Sequence, residues 1–177
     1  TMLKAAVQAK AEGICHPILL GNDETIEKLA KSLDLNLDGI EIVNLRHPRE
    51  QERRERYAHI LTQKRQRDGY TFQEANDKMF ERNYFGMMMV ETGDADAFIT
   101  GLYTKYSNTI KVANEVIGIK PEYKHFATMH IINSAKGTLF VGDTLINQDP
   151  QAEELVDIAK LSATAVRFFN ETPNIAM

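Results

Sequence analysis

One cysteine, Cys15, stands in 177 residues. A lone thiol excludes an internal disulfide and a multi-cysteine metal site, and makes a reducing, cytoplasmic setting the default. No apolar run approaches the roughly 18 residues that a membrane helix needs. The start, Met2-Leu3-Lys4-Ala5-Ala6 after Thr1, lacks an apolar core of signal-peptide length. Basic charge is not in excess, since 21 basic residues face 25 acidic ones for a net −4. A nucleic-acid footprint over the whole chain is therefore not expected. No G-x-G-x-x-G, Walker-type G-x-x-x-x-G-K-[ST], H-E-x-x-H or G-x-S-x-G occurs. Neither a dinucleotide site nor a phosphate loop is supported by motif. Internal repeats and low-complexity linkers are absent as well.

What is present fits a globular chain, 43% hydrophobic and 26% charged, of a size usual for one domain. Residues 2–12 are rich in Ala and Lys and predict a helix, with Gly13 as its C-cap. Ile14 to Leu20 reads as a strand, in which Cys15 is a small buried hydrophobe and Pro17 a weak point. Asn22-Asp23-Glu24 caps a helix carrying Ile26, Leu29, Ala30 and Leu33 at helical spacing. Ile40 to Leu45 alternates as a second strand. Helix, strand, helix, strand argues for βαβ units and a mainly parallel sheet.

Pro48 opens a long charged helix that Asp68-Gly69 ends. Between Arg46 and Arg67 eight basic residues face three glutamates. The plain reading is a solvated face with pairs such as Glu50–Arg53 and Glu52–Arg56; an anion or partner site is the minority reading. Thr71-Phe72-Gln73-Glu74 is a capping box. A helix is expected over 83–92, a turn at Gly93-Asp94, a short buried strand at 97–100 and a helix over 106–117. Segments 126–133 and 138–141 form a hairpin. His125 and His130, five apart on that strand, would face opposite ways and make no metal pair. Asp149 as N-cap with Pro150 at N1 starts a last helix, whose face runs Ala152, Leu155, Val156, Ala159, Ala163, Val166, Phe169. Ile175-Ala176-Met177 starts an apolar run and stops, as though a strand were cut short.

In α/β sheets, ligands bind outside the carboxyl ends of strands. Three such places carry polar residues. Thr104-Lys105-Tyr106-Ser107, after Thr100-Gly101, places hydroxyls and a lysine before a helix N-terminus, which suits an anion or simple capping. Asp143 follows the strand Leu139-Phe140-Val141 and would orient a substrate or cap a turn. Asn147, ahead of Asp149-Pro150, is more often turn chemistry.

Taken together, several stretches resemble the phosphate acetyl/butyryl transferase family. They are Glu12-Gly13 with Pro17 to Asn22, Arg65 to Ala75, Tyr84 to Val90, Gly93-Asp94-Ala95-Asp96-Ala97, Phe140-Val141-Gly142-Asp143-Thr144, and Ala152 to Ala159. The match covers nearly the whole chain and corresponds to the front part of that family's domain. The resemblance implies a three-layer α/β/α sandwich with a mainly parallel sheet, present here as an incomplete fragment over 1–177. One departure stands out. Transferases of this family carry His-[Ser/Thr]-Thr-Ala-Asp-Thr-x-Arg-Pro after the position of Gly101. In this chain the His is Thr104, the Asp Asn108, the Arg Lys111 and the Pro Val112. Arginine grips phosphate with two parallel bonds where lysine offers a point charge, so the exchange is not conservative.

A Thr-[Arg/Lys]-x-Tyr-like version of this stretch resembles the C-terminal domain of large bacterial NADP-dependent malic enzymes. That resemblance implies a regulatory and oligomer-building domain, with acetyl-CoA or another small anion as ligand. Malate oxidation, NADP and a divalent metal (Mg or Mn) would belong to a separate domain outside this chain. Thr104, Lys105, Tyr106, Asn108 and Lys111 would form the remnant anion cleft, with Asp143 and Asn147 as its other wall, and no catalytic residue is expected here. The alternatives are a divergent phosphate acyltransferase, with Lys111 holding phosphate, and a pure dimerisation module. Self-association fits all three, as symmetric homodimers are the commonest oligomer.

Overall fold

The computed structural model describes residues 2–101 and 104–177. The chain divides into two compact units, Thr1–Ile117 and Gly118–Met177.

In the first unit, α1 (Met2–Ala11) ends at Gly13, whose φ of 70° suits a residue without Cβ. β1 (Ile18–Leu20) begins only after Pro17, which has no N–H to give a ladder. The expected longer strand is thereby corrected: Ile14 is 70% exposed, and Cys15 is exposed rather than buried. α2 (Asp23–Ser32) starts where Asn22 Oδ1 accepts from the Thr25 N–H at 2.9 Å. It buries Ala30 and leaves Leu29 exposed. β2 (Glu41–Val43) pairs parallel to β1, with Leu19 opposite Ile42. The βαβ order read from the sequence is present.

The core of this unit lies among β2 and the helices α3 (Gln51–Arg65), α4 (Phe72–Lys78), α5 (Arg82–Glu91) and α6 (Tyr106–Val116). Val43, Tyr57, Leu61, Met79, Phe85, Met88 and Val116 are fully buried in it. α4 begins with the capping box between Thr71 and Glu74. α3 keeps a solvated face, with Glu52, Glu55 and Arg56 exposed, but part of its basic run turns inward. Glu50 and Arg53 do pair, at 3.5 Å. Arg56 turns instead to Asp94, and Lys64 to Glu91 at 2.5 Å. Arg54 is buried, donates to the carbonyls of Leu45 (2.6 Å) and His47 (3.2 Å), and lies over the Phe80 ring. The basic run also fastens α3 to its neighbours, since its cations reach Asp94, Glu91 and the carbonyls of Leu45 and His47. Arg54→Met keeps the volume and removes the donors. A loss of about 2 kcal/mol in denaturant unfolding is expected from stranding the Leu45 carbonyl.

Residues 97–100 form no strand, and Ile99 is 81% exposed. Among the described residues no segment pairs with them. The segment is held by side chains. Phe98 packs against the core beside Gly86, and Thr100 Oγ1 donates to Asn83 Oδ1 at 2.8 Å.

In the second unit, β3 (Met129–Ser134) and β4 (Gly137–Gly142) form an antiparallel hairpin with Ile131 opposite Phe140. α7 (Ala152–Phe168) buries Ile158 and Val166. The expected face is corrected here, since Leu155, Val156 and Phe169 are exposed. The cap moves too. Asp149 has φ 55°, outside the extended region of an N-cap, and Gln151 makes the capping box with Glu154. His125 precedes the hairpin rather than lying on it. Its Nδ1 is 3.1 Å from Asp157 Oδ2 and its Nε2 is 3.7 Å from Glu154 Oε1. The Lys124 N–H and then His125 hold the Asp157 carboxyl below its ordinary range. Residues 175–177 form no strand.

Candidate functional site

α6 begins at Tyr106 because Lys105 is extended, with φ −62° and ψ 135°. Lys105 gives no side-chain cap, and its carbonyl accepts the Asn108 N–H at 3.0 Å. Thr104, Lys105, Tyr106 and Asn108 are all exposed along this start. The Thr104 and Thr109 hydroxyl oxygens stand 3.5 Å apart. Lys111 lies one turn further, 69% exposed, with Nζ 3.8 Å from Glu115 Oε1. Val112, at the position of the family's proline, is buried in the core. Asn108 and Lys111 are exposed, whereas Glu115, one turn beyond Lys111, is half-buried.

The far end of α6 is clamped. Lys64 Nζ donates to the carbonyls of Val116 (2.5 Å) and Ile117 (3.1 Å), and Arg65 Nε to that of Glu115 (2.7 Å). Cations at a helix C-terminus also oppose its dipole favourably. The Glu115 carboxylate accepts from the hydroxyls of Tyr70 and Tyr84, each at 2.5 Å. Lys78 donates to the Tyr84 oxygen at 2.9 Å. Burial, then the neighbouring Glu115, pushes the Tyr70 hydroxyl up to about 12 and the Tyr84 hydroxyl higher still. Burial alone would raise Glu115, but the two tyrosine bonds and the Lys78 charge take it below its ordinary range. It stays ionised at neutral pH. Sequence reasoning missed this cluster, because Tyr70, Lys78, Tyr84 and Glu115 lie on separate elements and share no motif spacing.

Asp94, in the Gly93-to-Ala97 stretch, ties the chain after α5 back to α3. Its carboxylate accepts from Tyr57 and Arg56. Burial and the bond to Asp94 push the Tyr57 hydroxyl up to about 12. Burial tends to raise Asp94, and the Tyr57 bond and Arg56 charge bring it below its ordinary value.

Asp143 and Asn147 belong to the second unit, and the structure brings these two together. Asn147 gives Asp143 Oδ2 its backbone N–H at 2.7 Å and its amide at 2.6 Å. Thr128 adds its N–H at 2.9 Å and its hydroxyl, and Leu145 and Ile146 add N–H groups at 3.3 Å. The Asn147 amide also reaches the Phe126 carbonyl at 2.8 Å. Burial would raise the Asp143 carboxyl, yet these donors, Thr128 first, hold it well below the usual carboxylate range. Its lone pairs are taken by the loop it organises. Asp143 therefore fixes the backbone of 143–147. Among the described residues no group of three or more His, Cys, Asp or Glu could hold a metal ion, and no helix is long and apolar enough to cross a membrane.

The family described as phosphate acetyl/butaryl transferase matches residues 1–177. Among curated proteins, a phosphate acetyltransferase of Synechocystis is 34% identical over 178 residues, covering 99% of this chain and 25% of that protein. An NADP-dependent malic enzyme of Rhizobium meliloti is 31% identical over 179 residues, covering 99% of this chain and 23% of that protein. A phosphotransacetylase structure from Streptococcus pyogenes superposes with a TM-score of 0.82 at 28% identity, covering 99% of this chain and 53% of that one. The chain thus spans between about a quarter and a half of these relatives.

Proposed function

The chain belongs to the phosphate acetyl/butaryl transferase family and has its α/β fold, and we propose that it serves as the phosphotransacetylase-like domain of an NADP-dependent malic enzyme. In that setting it binds acetyl-CoA or a related anion, and regulates and assembles the parent protein. The observation that carries this reading is Lys111. It stands at the family's arginine position, exposed and paired to Glu115, so it offers a point charge and no bidentate fork. Asn108 at the neighbouring acidic position removes the companion charge. A site so altered keeps attraction for the phosphates of a CoA ester and loses the rigid oxygen-holding geometry that acyl transfer needs. The positive end of the α6 dipole lies at the same place. Lys105, Lys111 and the Thr104 hydroxyl would meet the anion, with Tyr106 and Asn108 beside it. Asp143 and Asn147 would act by shaping their loop. The parent's malate chemistry, with NADP and a divalent metal, is assigned to residues outside this chain.

A second reading is favoured by the names of the more similar relatives, among them the Synechocystis phosphate acetyltransferase. On that reading Lys111 holds phosphate while it exchanges with the CoA thiol on a carbonyl, with no covalent enzyme intermediate.

One protein preparation separates the two. The full protein carrying this chain is assayed for phosphate-dependent CoA release from acetyl-CoA, and for NADP-dependent malate oxidation with and without acetyl-CoA. Expected are no CoA release and a malate rate that acetyl-CoA shifts. Lys105→Gln with Lys111→Gln should abolish that shift. Sustained CoA release would replace the first reading with the second.

A further inference from the structure

We infer that Glu115 is a positioning residue for Lys111, and that Tyr70 and Tyr84 set its geometry. This rests on the reading above, in which Lys111 meets an anion. The two carboxylate oxygens of Glu115 have separate partners. Oε2 takes both tyrosine hydroxyls at 2.5 Å and lies 3.9 Å from Lys78. Oε1 faces Lys111 at 3.8 Å. The oxygen turned to Lys111 is thus fixed from behind by groups that are themselves fixed.

Tyr84 is buried at 3% exposure, and Lys78 lies over its ring at 4.5 Å and over the Tyr70 ring at 5.3 Å. The Glu115 backbone is held by Arg65. Lysine is a charge on a flexible four-carbon stem. A carboxylate locked one turn away narrows where that charge resides. An exposed ion pair of this kind contributes little to stability, so its consequence lies in the placement of Lys111. Without the tyrosine bonds, the carboxylate would be free to turn and to close on Lys111 as a competitor for the anion.

The test is a double-mutant cycle on the full protein, with inorganic phosphate as probe and calorimetric titration as readout, below the melting temperature of each variant. Lys111→Gln should weaken phosphate binding. Tyr84→Phe should weaken it by about three- to tenfold in the wild-type background, as expected for misplacing a binding group, and by nothing further in the Lys111→Gln background. An equal loss in both backgrounds, or no loss beside an affected Lys111→Gln, overturns the inference. Unchanged binding in Lys111→Gln, or none in the wild type, overturns the anion-site reading beneath it. Tyr70→Phe, at a less buried position, carries the same test where Tyr84→Phe fails to fold.

Discussion

Gly86→Val is expected to destabilise the first unit by about 3 kcal/mol. Gly86 is a buried residue in the middle of α5. Nothing about its conformation demands glycine, and any side chain would ordinarily improve the helix. Space is what demands it. A Cβ built at Gly86 would fall within 3.0 Å of three ring carbons of Phe98. The branched carbons of valine would extend that overlap. Phe98 would have to leave the core it packs against, losing the burial of an aromatic side chain, about 2 kcal/mol or more. The strain on α5 adds to this. Phe98 is also one anchor of the segment that leads toward the start of α6, so its loss should loosen residues 95–101. Denaturant unfolding measures the first effect and hydrogen exchange locates the second. Phe98→Ala in the same chain should make Gly86→Val much less costly, because the two changes remove one contact. Additive losses would show that the notch plays no part.

Asp143→Ala is expected to cost the second unit about 3 kcal/mol. The loss orphans the N–H groups of Thr128, Leu145, Ile146 and Asn147 together with two side-chain donors. The loop is partly exposed, so water recovers some of these bonds and the figure stays below their sum. Asp143→Asn keeps the shape and separates out the charge. The folded-state pKa of Asp143 is depressed, so its contribution is fully present above the unfolded value, about 4. It is lost as pH falls from about 5 through that value and toward the lower folded one. Wild-type stability should therefore drop more steeply between pH 5 and pH 3 than that of Asp143→Asn. Parallel curves would mean that the carboxylate is no more engaged folded than unfolded.

The family, the α/β class and the βαβ opening were legible in the sequence. Ordered motifs from Glu12-Gly13 to Ala152–Ala159 carried the first, and local patterns carried the others. Caps written in adjacent residues, Asn22 and the Thr71–Glu74 box, sit where they were read. Local signals failed where a tertiary partner decided the outcome. Ala97 to Thr100 has strand composition, but a strand exists only beside another strand. The cations of α3 read as one wet face, and Arg56 and Lys64 are exposed, but charge alone carries no address: Arg54 is buried against the carbonyls of Leu45 and His47. Asp149-Pro150 has the letters of a helix start, yet a positive φ at Asp149 hands the cap to Gln151.

The candidate site divides in the same way. Sequence by itself determined which residues stand at positions 104–112, and so that a lysine replaces the family's arginine, because residue type is all that such a comparison needs. Only the tertiary structure decided that Asp143 spends its lone pairs on its own loop, and that Glu115 stands between Lys111 and the hydroxyls of Tyr70 and Tyr84. Those assignments depend on Thr128, Tyr70 and Tyr84, 15 to 45 residues away in the chain, coming within hydrogen-bond distance, and a bond of that kind leaves no periodicity for a sequence to display.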